Sequence, residues 1–231
     1  MLDKGQMTLD LIRPIFGILF AFSLCGQTLL AGEIKGKVRI LRSVPDNSVI
    51  VSRALIRRFV SKRPDNYQRN AGKPGIVIYL AGLKTNEKAL PEKSLLLDQK
   101  NETFVPHVLP VLVGTKVRFL NSDDVYHNVF SFSPAKTFDL GRYKKGKTRS
   151  VTFDRPGIVK VYCDIHTQMN AFILVLENPY FALTGDDGSF EIHDIPAGTY
   201  VLKAWHGRGP EKAQAVVVEE SGVQRINFEF P

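Results

Sequence analysis

Within the string V-Y-C-D-I-H-T-Q-M the chain carries a thiol, an imidazole and a thioether at Cys163, His166 and Met169. A second imidazole stands upstream at His127, in Y-H-N-V-F. A metal that cycles between Cu(I) and Cu(II) is held best by a compromise of such donors. Two imidazoles satisfy Cu(II), a thiolate suits both states, and a weak thioether favours Cu(I). The spacing C-x2-H-x2-M lets one tight loop between two strands present Cys163, His166 and Met169 to a single ion, while His127 arrives from a neighbouring strand. This is the ligand set of a blue-copper electron-transfer site. Cys163 would serve as a thiolate, its pKa depressed by the metal.

Other chemistries compete for the same residues. Zinc would accept His127, Cys163 and His166, but it ordinarily asks for a fourth thiolate, imidazole, carboxylate or water, and Met169 is a poor choice. A buried structural cysteine beside a core methionine is common, since both are adaptable hydrophobes, yet it leaves His166 unexplained. A Cys-His nucleophile needs an orienting third group and oxyanion donors, and nothing in the sequence nominates them. An oxidase would need further histidine clusters, and His107, His193 and His206 are scattered. No enzymatic activity is therefore expected.

The elements that must position these donors read as β structure. Short apolar runs rich in β-branched and aromatic residues alternate with Gly, Pro, Asn and Asp. Strands are expected at 34–41, 76–80, 94–98, 111–120, 127–131, 149–153, 157–162 and 171–176, then at 189–193, 200–204, 214–218 and 224–230. Only 54–60 reads as a short helix. Asp186-Asp187-Gly188 and Asp154-Arg155-Pro156-Gly157 have turn chemistry, the latter leading into the strand that ends at Cys163. Asp186 and Asp187 lack the repeated oxygen donors of a calcium loop. The spacing as a whole argues for two β-sandwiches.

At 231 residues the chain is long enough for one large or two small domains. Residues 1–31 read as a signal peptide: Lys4 and Arg13, an apolar run from Ile15 to Leu24, and small residues before Glu33. Leu24 before Cys25 does not fit a lipidation site, and an uncleaved anchor is the alternative. Cleavage would leave Cys163 as the sole cysteine in an oxidising compartment, where a metal would occupy it. The net charge of +8 is concentrated between Arg53 and Lys73, which also holds Arg57, Arg58, Lys62, Arg63 and Arg69. That stretch is a solvated loop or a contact for an acidic redox protein or an anionic membrane surface; nucleic acid is not expected.

With the motifs in place, the middle of the chain resembles the cupredoxin family, in its plastocyanin and amicyanin branch. The likeness runs from about Ser94 to Glu177 through T-F-V-P-H-V-L-P-V-L-V-G-T-K-V-R-F-L-N-S-D, Y-H-N-V-F, F-D-L-G and P-G-I-V-K-V-Y-C-D-I-H-T-Q-M. The resemblance implies a Greek-key β-sandwich over 93–177 holding one type 1 copper through His127, Cys163, His166 and Met169. It also implies that Asn128 ties the two ligand loops together. The tail T-G-D-D-G-S-F-E-I-H-D-I-P-A-G-T-Y-V-L-K-A-W-H is similar to the second half of a transthyretin-like, carboxypeptidase regulatory-like sandwich. Its first half would lie in 32–92, ahead of the copper domain, and its second in 178–231. The copper domain would thus be an insertion, a change that costs little loop entropy. The arrangement is similar to periplasmic methylamine-utilisation-type proteins. Polar Asp164, Thr167 and Gln168 depart from the apolar ligand loops of that branch. The expected fold class is all-β, and the expected function is that of an exported, periplasmic single-electron carrier with a redox-protein partner such as a cytochrome or a dehydrogenase. The alternatives are copper storage or delivery, and a ligand-binding module with an accessory metal.

Overall fold

The structure is a computed structural model that describes residues 31–41, 75–83, 94–207 and 209–231. The signal peptide with Cys25, the helix at 54–60 and the basic stretch at 53–73 all lie outside the described residues. Every regular element among the described residues is a strand. No helix there is long and apolar enough to cross a membrane.

The strands are β1 (Gly32–Ile40), β2 (Val77–Ala81), β3 (Leu95–Gln99), β4 (Phe104–Val105), β5 (Val108–Leu112), β6 (Thr115–Asn121), β7 (Phe130–Ser133) and β8 (Lys136–Asp139). They continue as β9 (Thr148–Phe153), β10 (Gly157–Tyr162), β11 (Asn170–Leu176), β12 (Phe181–Leu183), β13 (Ser189–Ile195), β14 (Gly198–Trp205), β15 (Lys212–Val218) and β16 (Val223–Phe230). The run expected as one strand over 111–120 is two, broken at Gly114, whose φ of +87° L side chains rarely adopt. Strands β4, β8 and β12 are too short to show alternation in the sequence.

A sheet ordered β5-β11-β10-β7-β8 faces one ordered β4-β3-β6-β9. Their inward residues, among them Leu97, Phe104, Phe119, Phe153, Val161 and Ile173, form one core that also takes in Cys163 and Met169. A second pair of sheets, β12-β2-β14-β15 and β13-β1-β16, closes on Ile34, Ile78, Leu80, Phe190, Leu202 and Phe228. Here β1 pairs in parallel with β16, so the first and last strands of the described chain are neighbours. Gly36 makes that pairing tight, because a Cβ there would lie 1.6 Å from the carbonyl oxygen of Ile226.

A third core joins the two sandwiches back to back. Val77 and Tyr79 of β2, Leu183 of β12 and Trp205 of β14 meet Val108, Leu112, Leu174 and Leu176 of β5 and β11. Strands with both faces buried carry unbroken apolar runs, and the sequences VLPVL of β5 and NAFILVL of β11 follow that rule. Pro110 lacks an N–H and sits in β5, the edge strand of its sheet. Phe172, on the outer face of β11, meets Trp205 edge-on with ring centroids 5.4 Å apart.

Trp205 is 3% exposed, so its truncation opens a cavity in the joining core. Trp205→Ala is expected to destabilise the chain by about 3–5 kcal/mol. Urea unfolding followed by circular dichroism checks this; an unchanged midpoint would show that the two sandwiches do not depend on this contact.

Candidate metal centre

Strand β10 runs directly into Cys163, and β11 begins at Asn170, one residue past Met169. The intervening loop is closed at its base by its own backbone. The Cys163 amide donates to the Met169 carbonyl at 3.3 Å, and the Met169 amide donates to the His166 carbonyl at 2.9 Å. Antiparallel pairing of Tyr162 with Asn170 fixes the two ends of the loop.

His127 lies just before β7, not within a strand as the sequence pattern suggests. It forms an isolated bridge with Tyr143: the His127 amide donates to the Tyr143 carbonyl at 3.2 Å, and the reverse bond is 2.9 Å. The buried amide of Asn121 braces the segment, its Nδ2 donating to the carbonyls of Val125 and Tyr143 at 2.8 and 2.9 Å. Tyr143 is itself buried, and its hydroxyl takes a bond from Gln99 Nε2 at 2.6 Å and donates to the Phe119 carbonyl at 3.2 Å. Burial pushes its pKa well above the ordinary value, so the hydroxyl stays protonated and the network stays neutral.

These two segments bring three donors together. His127 Nδ1 lies 3.9 Å from Cys163 Sγ and 3.0 Å from His166 Nδ1. One ligand atom from each of the three residues falls within 4.8 Å of the others. An ion bound at about 2.0–2.3 Å from each atom spans such separations. His127 is fully buried and Cys163 is 4% exposed, whereas the His166 side chain keeps 19% of its surface. Met169, 1% exposed, is buried in the same core as Cys163.

The tautomer of His127 is set from outside the cluster. Its Nε2 lies 2.8 Å from the Asp123 carboxylate, so Nε2 carries the proton and Nδ1 presents a lone pair towards Cys163 and His166. Burial raises the pKa of Asp123, but the amides of Glu102 and Asn101 and the His127 imidazole together outweigh it and hold the carboxyl below its usual range. Two nitrogens of borderline softness and one sulfur, converging at the edge of a buried core with one tautomer locked, fit a copper-type donor set. With copper bound, the centre would supply reversible one-electron chemistry.

No family model and no curated protein matches the chain. Among solved structures, it is similar to the Cu-containing nitrite reductase from Thermus scotoductus SA-01, with 27% identity and a TM-score of 0.36 over 42% of this chain. The match spans a quarter (25%) of that reductase. It is also similar to a purple cupredoxin from Nitrosopumilus maritimus, at 23% identity and TM-score 0.33, covering 36% of this chain and 100% of that one. A reduced amicyanin variant matches at 24% identity and TM-score 0.34, covering 36% and 82%.

Some residues have other roles than the sequence suggests. Asn128 is buried, and its side-chain oxygen accepts the neighbouring Val129 amide at 2.7 Å within its own loop. His107 approaches the ligand loop, its Nδ1 3.1 Å from the Asn170 carbonyl oxygen. Sequence reasoning passed over Asp123, Asn121 and Tyr143. Asp123 had a visible signal, a carboxylate four residues ahead of His127 in N-S-D-D-V-Y-H.

The solvent edge of the centre is mixed in character. Val125, Tyr126 and Ile165 are 43, 57 and 37% exposed. Arg142 bridges to Asp164 at 3.1 Å, and Lys145 to Asp124 at 2.8 Å. His166 is the candidate donor nearest to solvent, and so the point of shortest approach for another molecule.

Proposed function

We propose that this chain is a type 1 copper protein that carries single electrons. The observation that supports the reading best is the convergence of His127 Nδ1, Cys163 Sγ and His166 Nδ1, with Met169 of the same loop buried in the core that holds Cys163. Each donor is anchored to rigid β structure: the Tyr143 bridge for His127, and the backbone-closed loop between β10 and β11 for Cys163, His166 and Met169. Donors that hold still in both oxidation states demand little rearrangement when an electron arrives or leaves. His166, the partly exposed ligand, is the exit, and its partner is another redox protein. No enzymatic step is needed. Following the amino-terminal segment, the protein works outside the cytoplasm, in a periplasm or its equivalent.

Voltammetry of the copper-loaded mature chain tests the role. The expected result is a reversible one-electron wave of unchanged midpoint over repeated cycles. A chain that binds copper tightly but shows no reversible wave is a storage or delivery protein instead.

A further inference from the structure

The turn between β3 and β4 is strained in an unexpected place. Asn101 and Glu102 both have positive φ, +53° and +52°, a conformation suited to two-residue hairpins but one that a glutamate adopts at a cost. Such strain persists only where the surroundings over-determine it. Here the surroundings are the Asp123 carboxylate, which accepts the Asn101 amide at 2.6 Å and the Glu102 amide at 2.9 Å. The same carboxylate holds Nε2 of His127. The turn is therefore fastened to the metal centre through one side chain.

What the turn presents there is the Glu102 side chain. Glu102 Oε1 lies 4.0 Å from Nε2 of His166, and Oε2 accepts a hydrogen bond from Gln168 Nε2 at 3.0 Å. Gln168 belongs to the ligand loop, so Glu102 is clamped to the segment that it faces. Each imidazole of the cluster thus faces a carboxylate on its distal nitrogen, Asp123 hydrogen-bonded to His127 at 2.8 Å and Glu102 standing off His166 at 4.0 Å, beyond hydrogen-bond distance. The two differ in exposure as well: Asp123 lies beneath the centre with 13% of its side chain exposed, and Glu102 stands at the rim with 51% exposed.

We propose that Glu102 is a positioning and specificity-determining residue of the metal centre. Its charge, 4.0 Å from Nε2, favours a proton there over the Nδ1 proton that a bond to His127 Nδ1 at 3.0 Å would use, which leaves Nδ1 free to bind metal, and it places a negative charge at the electron exit so that a positively charged redox partner is preferred. The second part rests on the electron-carrier reading; the first does not. The ion pairs of Asp164 with Arg142 and Asp124 with Lys145 neutralise the other nearby carboxylates. Among the described residues Glu102 has no Lys or Arg ion-pair partner, so its charge beside His166 is not offset in the same way.

The test compares Glu102→Gln with Asp124→Asn, which removes the same charge from an exposed carboxylate that is paired with Lys145. In the metal-free chain, nitrogen-15 NMR of the imidazoles reads the tautomer. The expected result is a change in the His166 nitrogen shifts in Glu102→Gln alone. In the copper-loaded chain, electron exchange is measured with hexaammineruthenium as the cationic probe and hexacyanoferrate as the anionic one. Glu102→Gln is expected to lower the cation-to-anion rate ratio by about threefold for each unit of probe charge at low salt, an effect that fades as salt is raised. Asp124→Asn is expected to change it far less. Unaltered His166 shifts overturn the positioning role, and equal effects of the two variants on the ratio overturn the specificity role. A loaded chain that exchanges electrons with neither probe refutes the carrier reading and the specificity role, while the NMR result still decides the positioning role.

Discussion

Replacing Cys163 with serine is expected to abolish the intense visible absorption of the copper-loaded chain and to remove nearly all of its metal-dependent stability. Cys163 contributes the one soft, charged donor of the set, and a serine hydroxyl is neither at neutral pH. A metal that binds only the folded chain stabilises it by about 4 kcal/mol at a thousandfold excess over its Kd. For a chain of this size that corresponds to a rise in Tm of roughly 8–16 °C. Cys163→Ser should show almost none of that rise. The metal-free variant should lose only about 1–3 kcal/mol, the cost of a poorly partnered hydroxyl at a site 4% exposed. Calorimetry of both chains with and without copper separates the two effects. A variant that keeps the full metal-dependent rise would remove the thiolate from the ligand set.

The second large effect belongs to Asp123. Its carboxylate accepts the amides of Asn101 and Glu102 and holds Nε2 of His127, three bonds at 2.6, 2.9 and 2.8 Å. Asp123→Asn leaves a single acceptor atom for this work and puts an amide N–H where only acceptors belong. His127 then loses the partner that fixes its tautomer, and copper affinity is expected to fall about 10–100-fold. Competition titration against a chelator of known affinity measures it. The pH dependence has a definite sign. Because the Asp123 carboxyl lies below its usual range in the folded chain, its stabilisation is present above the ordinary carboxylate pKa and is lost as pH falls through the depressed value. An Asp123→Asn chain with native affinity and an unchanged acid limb would show that the His127 tautomer is fixed elsewhere.

Much of this architecture can be read from local pattern. The alternation in V-T-F, G-I-V-K-V-Y and Q-R-I-N-F-E-F places strands because the side-chain period of two is written into adjacent residues. The turn at Asp186-Asp187-Gly188 is equally local: Gly188 takes φ +81° beneath the Val38 backbone, and Asp187 caps Ser189 and faces Lys37. The Ser189 hydroxyl and amide and the Lys37 charge pull the Asp187 pKa down to about 2. Two of the three clustered donors were legible for a different reason. Cys163 and His166 share one short loop, so their proximity needs no knowledge of the rest of the fold.

What the sequence hides is what depends on pairing between distant segments. Glu102 and His166 are far apart along the chain and meet because β4 and β11 lie at the same end of one sandwich. The bridge between His127 and Tyr143 is a single pair with no alternation to announce it. The joining core was foreshadowed by the doubly apolar runs of β5 and β11, but which surface covers them is decided by β2 and β14 from the other sandwich.

The central claim is a copper–thiolate bond at Cys163 within a type 1 site. It is tested most directly by the visible and electron paramagnetic resonance spectra of the mature chain loaded with Cu(II), recorded beside Cys163→Ser and Met169→Gln. The expected spectrum has an intense blue charge-transfer band with narrow copper hyperfine splitting, absent in Cys163→Ser and shifted in Met169→Gln. A pale spectrum with wide splitting that is indifferent to both substitutions would contradict it.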